Sequence, residues 1–205
     1  AWDKLEGAQK ELKNIFIPLQ DIERGRGISS SLFGFAKTLV RAAVELPKAN
    51  EKRFREFGES NLPALKMGLF STAPIYDELE IARLTFSLTK LREDLGPDHA
   101  FVKQVLGAKS PFQLATETIK GSQLRDLKLR NALFDGGQAA IEASDDPMIR
   151  LARVVEPEAS RLRRQYEDGV EAVIKKNLEL IAGAQFAVYG SSIYPDATFT
   201  LRLSY

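Results

Sequence analysis

His99 is the only histidine among the 205 residues and the first residue to consider for catalysis or metal binding. It follows Gly96, Pro97 and Asp98, a turn sequence that places it near the start of a short helix. A metal site or a Ser-His-Asp triad would need this imidazole together with partners from elsewhere in the chain. The sequence has no cysteine and no second histidine, so we interpret His99 as a surface residue without a catalytic role.

Acidic residues occur in close pairs, and two carboxylates can act as an acid and a base or as metal ligands when they converge. Asp77 and Glu78 fall in the first turn of a predicted helix, and Asp145 and Asp146 precede Pro147 at the start of another. Negative charge at these positions suits the helix dipole and the free N–H groups of the first turn. The pattern therefore favours helix capping over catalysis.

Glycine-rich segments and aromatic residues indicate no cofactor site. Gly25–Gly27 lacks the preceding strand and the third glycine of a dinucleotide-binding loop, and Gly136–Gly137 follows a predicted helix as a C-terminal cap does. The phenylalanines occur singly at helical spacing, which is typical of a core and not of a nucleic-acid stacking platform. We predict no catalytic residue, no metal ligand and no cofactor in this chain, and the sequence assigns no substrate-binding residue.

Helical periodicity dominates the elements that would have to position any site. Trp2 to Arg24 shows an apolar stripe at helical spacing, and Pro18 inside it is expected to kink or split that helix. Gly25–Gly27 ends it, and the serines before Leu32 cap a second helix that continues to Leu46.

Prolines mark the starts of several later helices, because the missing N–H of proline costs least in the first turn. Two of these helices are predicted to be long, Pro74 to Leu95 and Pro157 to about Val188. Asn177 lies on the apolar stripe of the last one, where a buried amide would fix the register against a neighbouring helix or border water. The predicted fold class is all-α, an irregular multi-helix bundle with two long helices and a short C-terminal β-strand.

The charge balance argues against two classes of partner. Lys and Arg total 29 against 28 Asp and Glu, so the chain lacks the excess of cations that nucleic-acid binding requires. No apolar run approaches the roughly 20 residues that span a bilayer, and the first residues do not have the layout of a signal peptide. We expect neither nucleic acid nor membrane as a partner.

The C-terminal residues follow a different period from the rest. From Phe199 to Tyr205 apolar and polar side chains alternate, which predicts a half-buried β-strand. A lone strand leaves its backbone hydrogen-bonding groups without partners. We therefore expect the chain to be a piece of a larger protein that supplies the rest of the sheet.

The same C-terminal region resembles a protein family. Phe186–Gly190 and Tyr194–Arg202, with shorter runs at Asp145–Ile149 and Arg163–Glu167, are similar to segments of bacterial dipeptidyl-peptidases of the seven and eleven type. A looser similarity covers Leu32–Ala36. The resemblance implies a serine exopeptidase with a chymotrypsin-like double barrel, in which an all-helical domain is inserted between the barrel halves.

That resemblance implies a division of the chain and a location. Residues 1–193 would form the helical domain that covers the cleft, and residues 194–205 would begin a strand of the catalytic barrel. The nucleophilic serine and the histidine of the family would lie in the barrels, so this piece alone is expected to be inactive. The parent protein is expected to be periplasmic or secreted, with peptides as substrates.

The resemblance also implies that an asparagine of the helical domain grips the N-terminal amine of the substrate. The matching position would lie within Gly34–Thr38, where Lys37 stands. A cation there would repel an ammonium group, so no binding residue is assigned.

Two further hypotheses remain open at this point. The chain could instead be a free-standing helical interaction module whose strand joins the edge of a partner's sheet. An unpaired apolar strand could also exchange between two copies and form a homodimer. The glycine-flanked segments Gly25–Gly27 and Gly190–Pro195 are candidate hinges for a lid.

Overall fold

The computed structural model describes residues 1–190, and every regular element in this range is helical. The α-helices are α1 (Trp2–Pro18), α2 (Ser31–Glu45), α3 (Leu62–Leu69), α4 (Asp77–Leu95), α5 (Ala100–Leu106), α6 (Pro111–Gly121), α7 (Leu127–Ala143), α8 (Pro147–Tyr166) and α9 (Ala172–Tyr189). Short π-helical segments follow α1 and α8, and two 3₁₀ turns, Asn50–Lys52 and Arg55–Phe57, lie between α2 and α3.

The predicted fold class needs correction. We expected an all-α bundle with a short C-terminal β-strand, whereas residues 1–190 contain helices and no strand, so the described fold is all-helical. The predicted strand, Phe199 to Tyr205, lies outside the described residues.

The start of the second predicted long helix was placed wrongly, while its end near Val188 agrees with the end of α9. We expected a helix start at Pro147 and a separate helix from Pro157 to about Val188, but α8 begins at Pro147 and continues through Pro157. The Asp146 carboxylate accepts hydrogen bonds from the N–H groups of Met148 and Ile149 and so fixes the earlier start. The π-helical turn after Tyr166 then separates α8 from α9.

The chain divides into two compact units, Ala1–Ile15 with Arg164–Tyr205, and Phe16–Arg163. In the larger unit α4 packs on α6, and α2 packs on α7. The apolar faces of these helices are fully buried, for example Leu84, Leu88 and Leu91 of α4 and Ile119 of α6. Burial of such faces, at about 25 cal/mol per Å² of apolar surface, is the main source of stability for this unit.

Local patterns set the helix boundaries in the larger unit. The Ser30 hydroxyl accepts a 2.9 Å hydrogen bond from the N–H of Phe33 and caps α2, and Ser110 with Gln113 forms a capping box at α6. Gly137 has a φ of +57° and breaks the helical path inside α7, which agrees with the predicted helix end at Gly136–Gly137. At Pro18, where a kink or a split was expected, α1 ends and the helical path continues as the π-helical segment Leu19–Glu23.

In the smaller unit α9 is mostly exposed. Asn177 is its one fully buried side chain, and its amide donates a 2.7 Å hydrogen bond to the carbonyl oxygen of Val173 in the same helix. This bond satisfies a donor of the amide without a neighbouring helix. Several large apolar side chains of α9 are exposed, among them Leu180, Phe186 and Val188. Within the described residues, no helix is both long enough and apolar enough to cross a membrane.

Candidate functional site

His99 and Asp146 act at helix starts, as the sequence predicted, whereas Asp77 forms no capping hydrogen bond at the start of α4. His99 caps α5, and its Nδ1 accepts a 3.2 Å hydrogen bond from the N–H of Phe101. Asp77 pairs with Arg125, while Asp146 serves the start of α8. Across residues 1–190 no group of three or more His, Cys, Asp or Glu side chains could hold a metal ion.

The larger unit contains a cleft of about 950 Å³ bordered by α2, α3 and the loop that follows α3. Its volume suits a ligand of small-molecule or short-peptide size. The residues that line the cleft come from α2, a 3₁₀ turn, α3, the loop that follows it and α8: Ser31, Gly34, Phe35, Thr38, Arg55, Glu56, Asn61, Ala64, Leu65, Gly68, Leu69, Ser71, Ala73, Pro74, Ile75 and Arg163.

Two glycines leave the space between α2 and α3 open. A Cβ atom added at Gly34 of α2 or at Gly68 of α3 would meet no heavy atom within 4 Å. Both residues line the cleft, so the backbone of each helix borders it directly. An extended ligand could therefore approach both helices more closely than side chains would normally allow.

The start of α2 is held in place beside the cleft. The buried Glu80 carboxylate of α4 accepts hydrogen bonds from the backbone N–H and the hydroxyl of Ser31, and Arg83 donates to the same carboxylate at 3.2 Å. Since Glu80 is only 2% exposed, this anion is fixed by its partners.

Arg130 of α7 lies behind the wall of the cleft and contacts three of its lining residues. Its guanidinium donates to the carbonyl oxygens of Leu69 and Ser71, the second at 2.9 Å. It also lies over the ring of Phe35, 4.3 Å from the centroid. These contacts join the end of α3, the following loop and α2 through one side chain.

No carboxylate among the described residues pairs with Arg130. It is only 2% exposed, its Nε lacks a hydrogen-bond partner, and its other donors bind neutral carbonyl groups. Burial lowers the pKa of Arg130, while the charge of Asp126 opposes that shift. The guanidinium remains charged, so the wall of the cleft contains a positive charge that lacks a direct counter-ion.

Glu56 and Arg163, which both line the cleft, form an ion pair without net charge. Arg163 donates two hydrogen bonds to the two carboxylate oxygens of Glu56, and its guanidinium lies 4.0 Å from the centroid of the Phe54 ring. Burial raises the pKa of Glu56, but the hydrogen bonds from Arg163 prevail, so the net pKa is lowered. The pair therefore adds no net charge to the cleft.

Arg41 lies in a more deeply buried part of the same ion network, because Arg163 is also 3.7 Å from Glu23 and Arg41 is 4.0 Å from Glu56. It donates two hydrogen bonds to each of two carboxylates, Glu23 and Glu156, at 2.7 to 3.0 Å. Burial disfavours the charges of Arg41 and Glu23, yet their mutual hydrogen bonds prevail, raising the pKa of Arg41 and lowering that of Glu23. The positive charge of Arg41 is thus compensated by the carboxylates of Glu23 and Glu156.

Lys37 belongs to this cluster and does not line the cleft. Its ammonium lies 3.1 Å from the Glu23 carboxylate, and burial is the main cause of its lowered pKa. Its ammonium group therefore points to Glu23 and not into the cleft, and the repulsion of a substrate ammonium group by Lys37 stays a prediction. Gly34, Phe35 and Thr38 are the residues of that segment that line the cleft.

Arg55 is the remaining charged side chain of the cleft. It is exposed, lies in the 3₁₀ turn Arg55–Phe57 and, among the described residues, pairs with no carboxylate. Sequence reasoning missed Arg55, Arg130 and Arg163, because a single arginine in a helix or turn carries no local sign of what it will face. The glycine at position 34, inside a strongly predicted helix, was the one available signal.

One comparison with known proteins bears on this site. A protein-family model described as Peptidase S46 matches residues 1–205, the whole of the chain. The chain therefore belongs to the peptidase S46 family, and the parent is a serine peptidase.

Proposed function

From membership of this serine peptidase family, we propose that the chain is the helical domain of a dipeptidyl aminopeptidase and that it helps to admit and select short peptides. The cleft between α2 and α3 is the observation that carries the proposal. It is open, of peptide size, bordered by the backbone at Gly34 and Gly68, and edged by hydroxyl, amide and charged groups.

We propose that the catalytic residues lie in another part of the parent protein. The described residues bring together no nucleophile, base and orienting acid, because His99 is used as a helix cap and the acidic pairs are dispersed. We propose that a barrel domain of the same parent chain is the partner of this domain. The proposed setting is the periplasm or the exterior of the cell.

Recognition of the substrate N-terminus is compatible with the charges near α2. Lys37 is engaged with Glu23 and does not place its cation in the cleft. A peptide ammonium group entering beside Gly34 or Thr38 would therefore not meet the repulsion that the sequence suggested. We propose that the peptide lies along α2 with its backbone close to Gly34.

Occlusion of the cleft in the full-length peptidase tests this proposal. We expect Gly34→Leu to fill the open space and raise KM for a dipeptidyl chromogenic substrate by about tenfold or more. Glycine is a poor helix former, so the leucine should not weaken α2. Thermal unfolding of the variant checks this point.

Gly7→Leu is the matched control. Gly7 is also helical, exposed and without a heavy atom within 4 Å of its added Cβ, but it lies in α1 and does not line the cleft. Its KM should equal that of the wild type. Unchanged KM and kcat in a folded Gly34→Leu enzyme would overturn the proposed role of the cleft.

A further inference from the structure

We infer that the α2 wall of the cleft recognises backbone N–H groups of the bound peptide, with Ser31 and Thr38 as the acceptors and Glu80 as the residue that positions Ser31. The inference rests on the proposed function and deepens it, because it names what the same cleft recognises in a peptide. The argument depends on which donors of α2 are engaged within the protein.

Ser31 has no donor left for a ligand. Its backbone N–H and its hydroxyl both donate to the carboxylate of Glu80, the hydroxyl at 3.0 Å. A carboxylate only accepts hydrogen bonds, so the single hydroxyl proton of Ser31 is directed at Glu80. Because Ser31 lines the cleft, it can act toward a ligand only as an acceptor.

The hydroxyl proton of Thr38 is engaged in the same way. The hydroxyl donates a 2.9 Å hydrogen bond to the carbonyl oxygen of Gly34, and Thr38 also lines the cleft. Ser31, Gly34 and Thr38 are spaced by three and then four residues, so they share one face of α2. The helical rise places Ser31 and Thr38 about 10 Å apart along the axis, on either side of Gly34.

A peptide backbone supplies the donors that this face of α2 can accept. A peptide that lies close to Gly34 carries an N–H group at every residue other than proline. The two hydroxyl groups offer nothing to its carbonyl groups, since their protons are engaged. Donors for carbonyl groups are found elsewhere in the lining, as in the guanidinium of Arg55. The α2 wall therefore distinguishes the N–H groups of a peptide from its carbonyl groups.

Glu80 makes the polarity of Ser31 a fixed property of the site. Its side chain is buried, with the residue 2% exposed, and Arg83 donates at 3.2 Å to the same oxygen as the Ser31 hydroxyl. Glu80 lies in α4 and does not line the cleft, so it acts on a ligand only through Ser31. A buried carboxylate also polarises the hydroxyl that is bonded to it, which strengthens the hydroxyl oxygen as an acceptor.

The test follows the cleavage of pentapeptides by the full-length peptidase. Release of the N-terminal dipeptide is measured for an all-amide peptide and for analogues in which one backbone N–H, outside the scissile bond, is replaced by an ester oxygen. We expect at least one analogue to lose about threefold to tenfold in kcat/KM with the wild type, the effect of one hydrogen bond. In Ser31→Ala or in Thr38→Val that loss should disappear, because the acceptor is absent.

Glu80→Gln changes the polarity of Ser31 and keeps the shape of the side chain. The amide oxygen can still accept from the backbone N–H of Ser31, and the amide N–H groups then face the hydroxyl and free its proton for the cleft. Where Ser31 is the acceptor, the ratio of kcat/KM for the all-amide peptide to that for the ester analogue should fall to about one. General loosening of α2 would lower both values and leave this ratio unchanged.

Ser87→Ala is the matched control. The Ser87 hydroxyl of α4 accepts a 2.9 Å hydrogen bond from the N–H of Ser29, just before α2, and Ser87 does not line the cleft. The substitution therefore removes a second contact between α4 and the start of α2 without changing the acceptors of the cleft. Its amide-to-ester ratio should equal that of the wild type, and thermal unfolding checks that every variant is folded.

Two outcomes separate this inference from the proposed function. If Gly34→Leu impairs all substrates but the amide-to-ester ratios of folded Ser31→Ala, Thr38→Val and Glu80→Gln enzymes equal those of the wild type, the cleft binds peptide and the recognition of N–H groups by α2 is overturned. If Gly34→Leu impairs no substrate, the proposed function fails, whatever the ratios are.

Discussion

Arg41 and Arg130 are buried to nearly the same degree, 4% and 2% exposed, yet their surroundings differ. Arg41 is held between the carboxylates of Glu23 and Glu156. Arg130 has two carbonyl oxygens and the ring of Phe35. Arg41 is compensated by directly bonded carboxylates, whereas Arg130 is bonded only to dipoles and an aromatic face, with the charge of Asp126 acting from a distance.

The two arginines therefore have different roles in the protein. In a buried ion cluster whose charges match, each charge compensates for the desolvation of the other, so the removal of one partner is costly. A buried cation without an anion is costly, and in this molecule it lies behind the wall of the cleft. The fold tolerates that cost where the side chain also shapes the candidate site, a pattern expected of functional regions.

Removal of Arg41 should have the largest effect on stability. Arg41→Met leaves Glu23 and Glu156 buried without their main partner, so we expect the free energy of unfolding to fall by about 3–5 kcal/mol. Urea unfolding measures it. Adding Glu156→Gln to Arg41→Met should recover part of the loss, and a single-variant loss below about 1 kcal/mol would contradict the importance of the cluster.

Removal of Arg130 should cost less stability. Arg130→Met loses two hydrogen bonds to carbonyl groups but also removes a desolvated charge, so we expect a loss of about 1–2 kcal/mol. The cleft wall should loosen at the same time, and KM of the full-length peptidase should rise more than kcat falls. Arg130→Lys should restore part of the KM because it keeps a donor for one carbonyl. If Arg130→Met proves as destabilising as Arg41→Met, the two sites do not differ as described.

Lowering the pH should change the free energy of unfolding by the smallest amount, but it should act on the Arg41 region and not on the Arg130 region. The pKa values of Glu23 and Glu56 are lowered from 4.5 in the folded state. Their contribution to stability is therefore present above about pH 4.5 and is lost as the pH falls through the lower folded values. Unfolding free energies measured from pH 7 to pH 3 should fall for the wild type.

The two variants should respond differently to the same titration. Arg41→Met removes the partner that lowers the pKa of Glu23, so its curve should be flatter below pH 4.5. Arg130→Met should keep the slope of the wild type, because Arg130 pairs with neither acid. Parallel curves for all three proteins would show that the cluster does not govern acid stability.

Helix boundaries were the most predictable part of this structure. A capping residue before a proline predicts a helix start, because a cap needs only residues that are neighbours in sequence. Ser110 before Pro111 and Asp146 before Pro147 are two examples. His99 was correctly predicted to lie at the start of a short helix. Pro157 was misleading, because the cap at Asp146 and burial of Val155 and other side chains on α8 favour a continuous helix over a break.

The candidate site was not predictable from local patterns. Its arginines acquire their roles from segments far away in the chain, as when Arg163 meets Glu56 over 107 positions. Lys37 lies in the same helix as Gly34 and Phe35 of the cleft, but its side chain points to Glu23. The order of residues does not indicate with which of several acidic residues a long cationic side chain will form an ion pair.

The separation between Glu56 and Arg163 also bears on the order of events during folding. Almost the entire lining, from Ser31 to Ile75, is one continuous stretch of chain, so most of it can assemble from nearby contacts. Closing the 107-residue interval to Arg163 costs more entropy and should come later. Secondary structure should then form before the cleft is able to bind a ligand. Ligand binding during refolding would therefore report the final docking of α8.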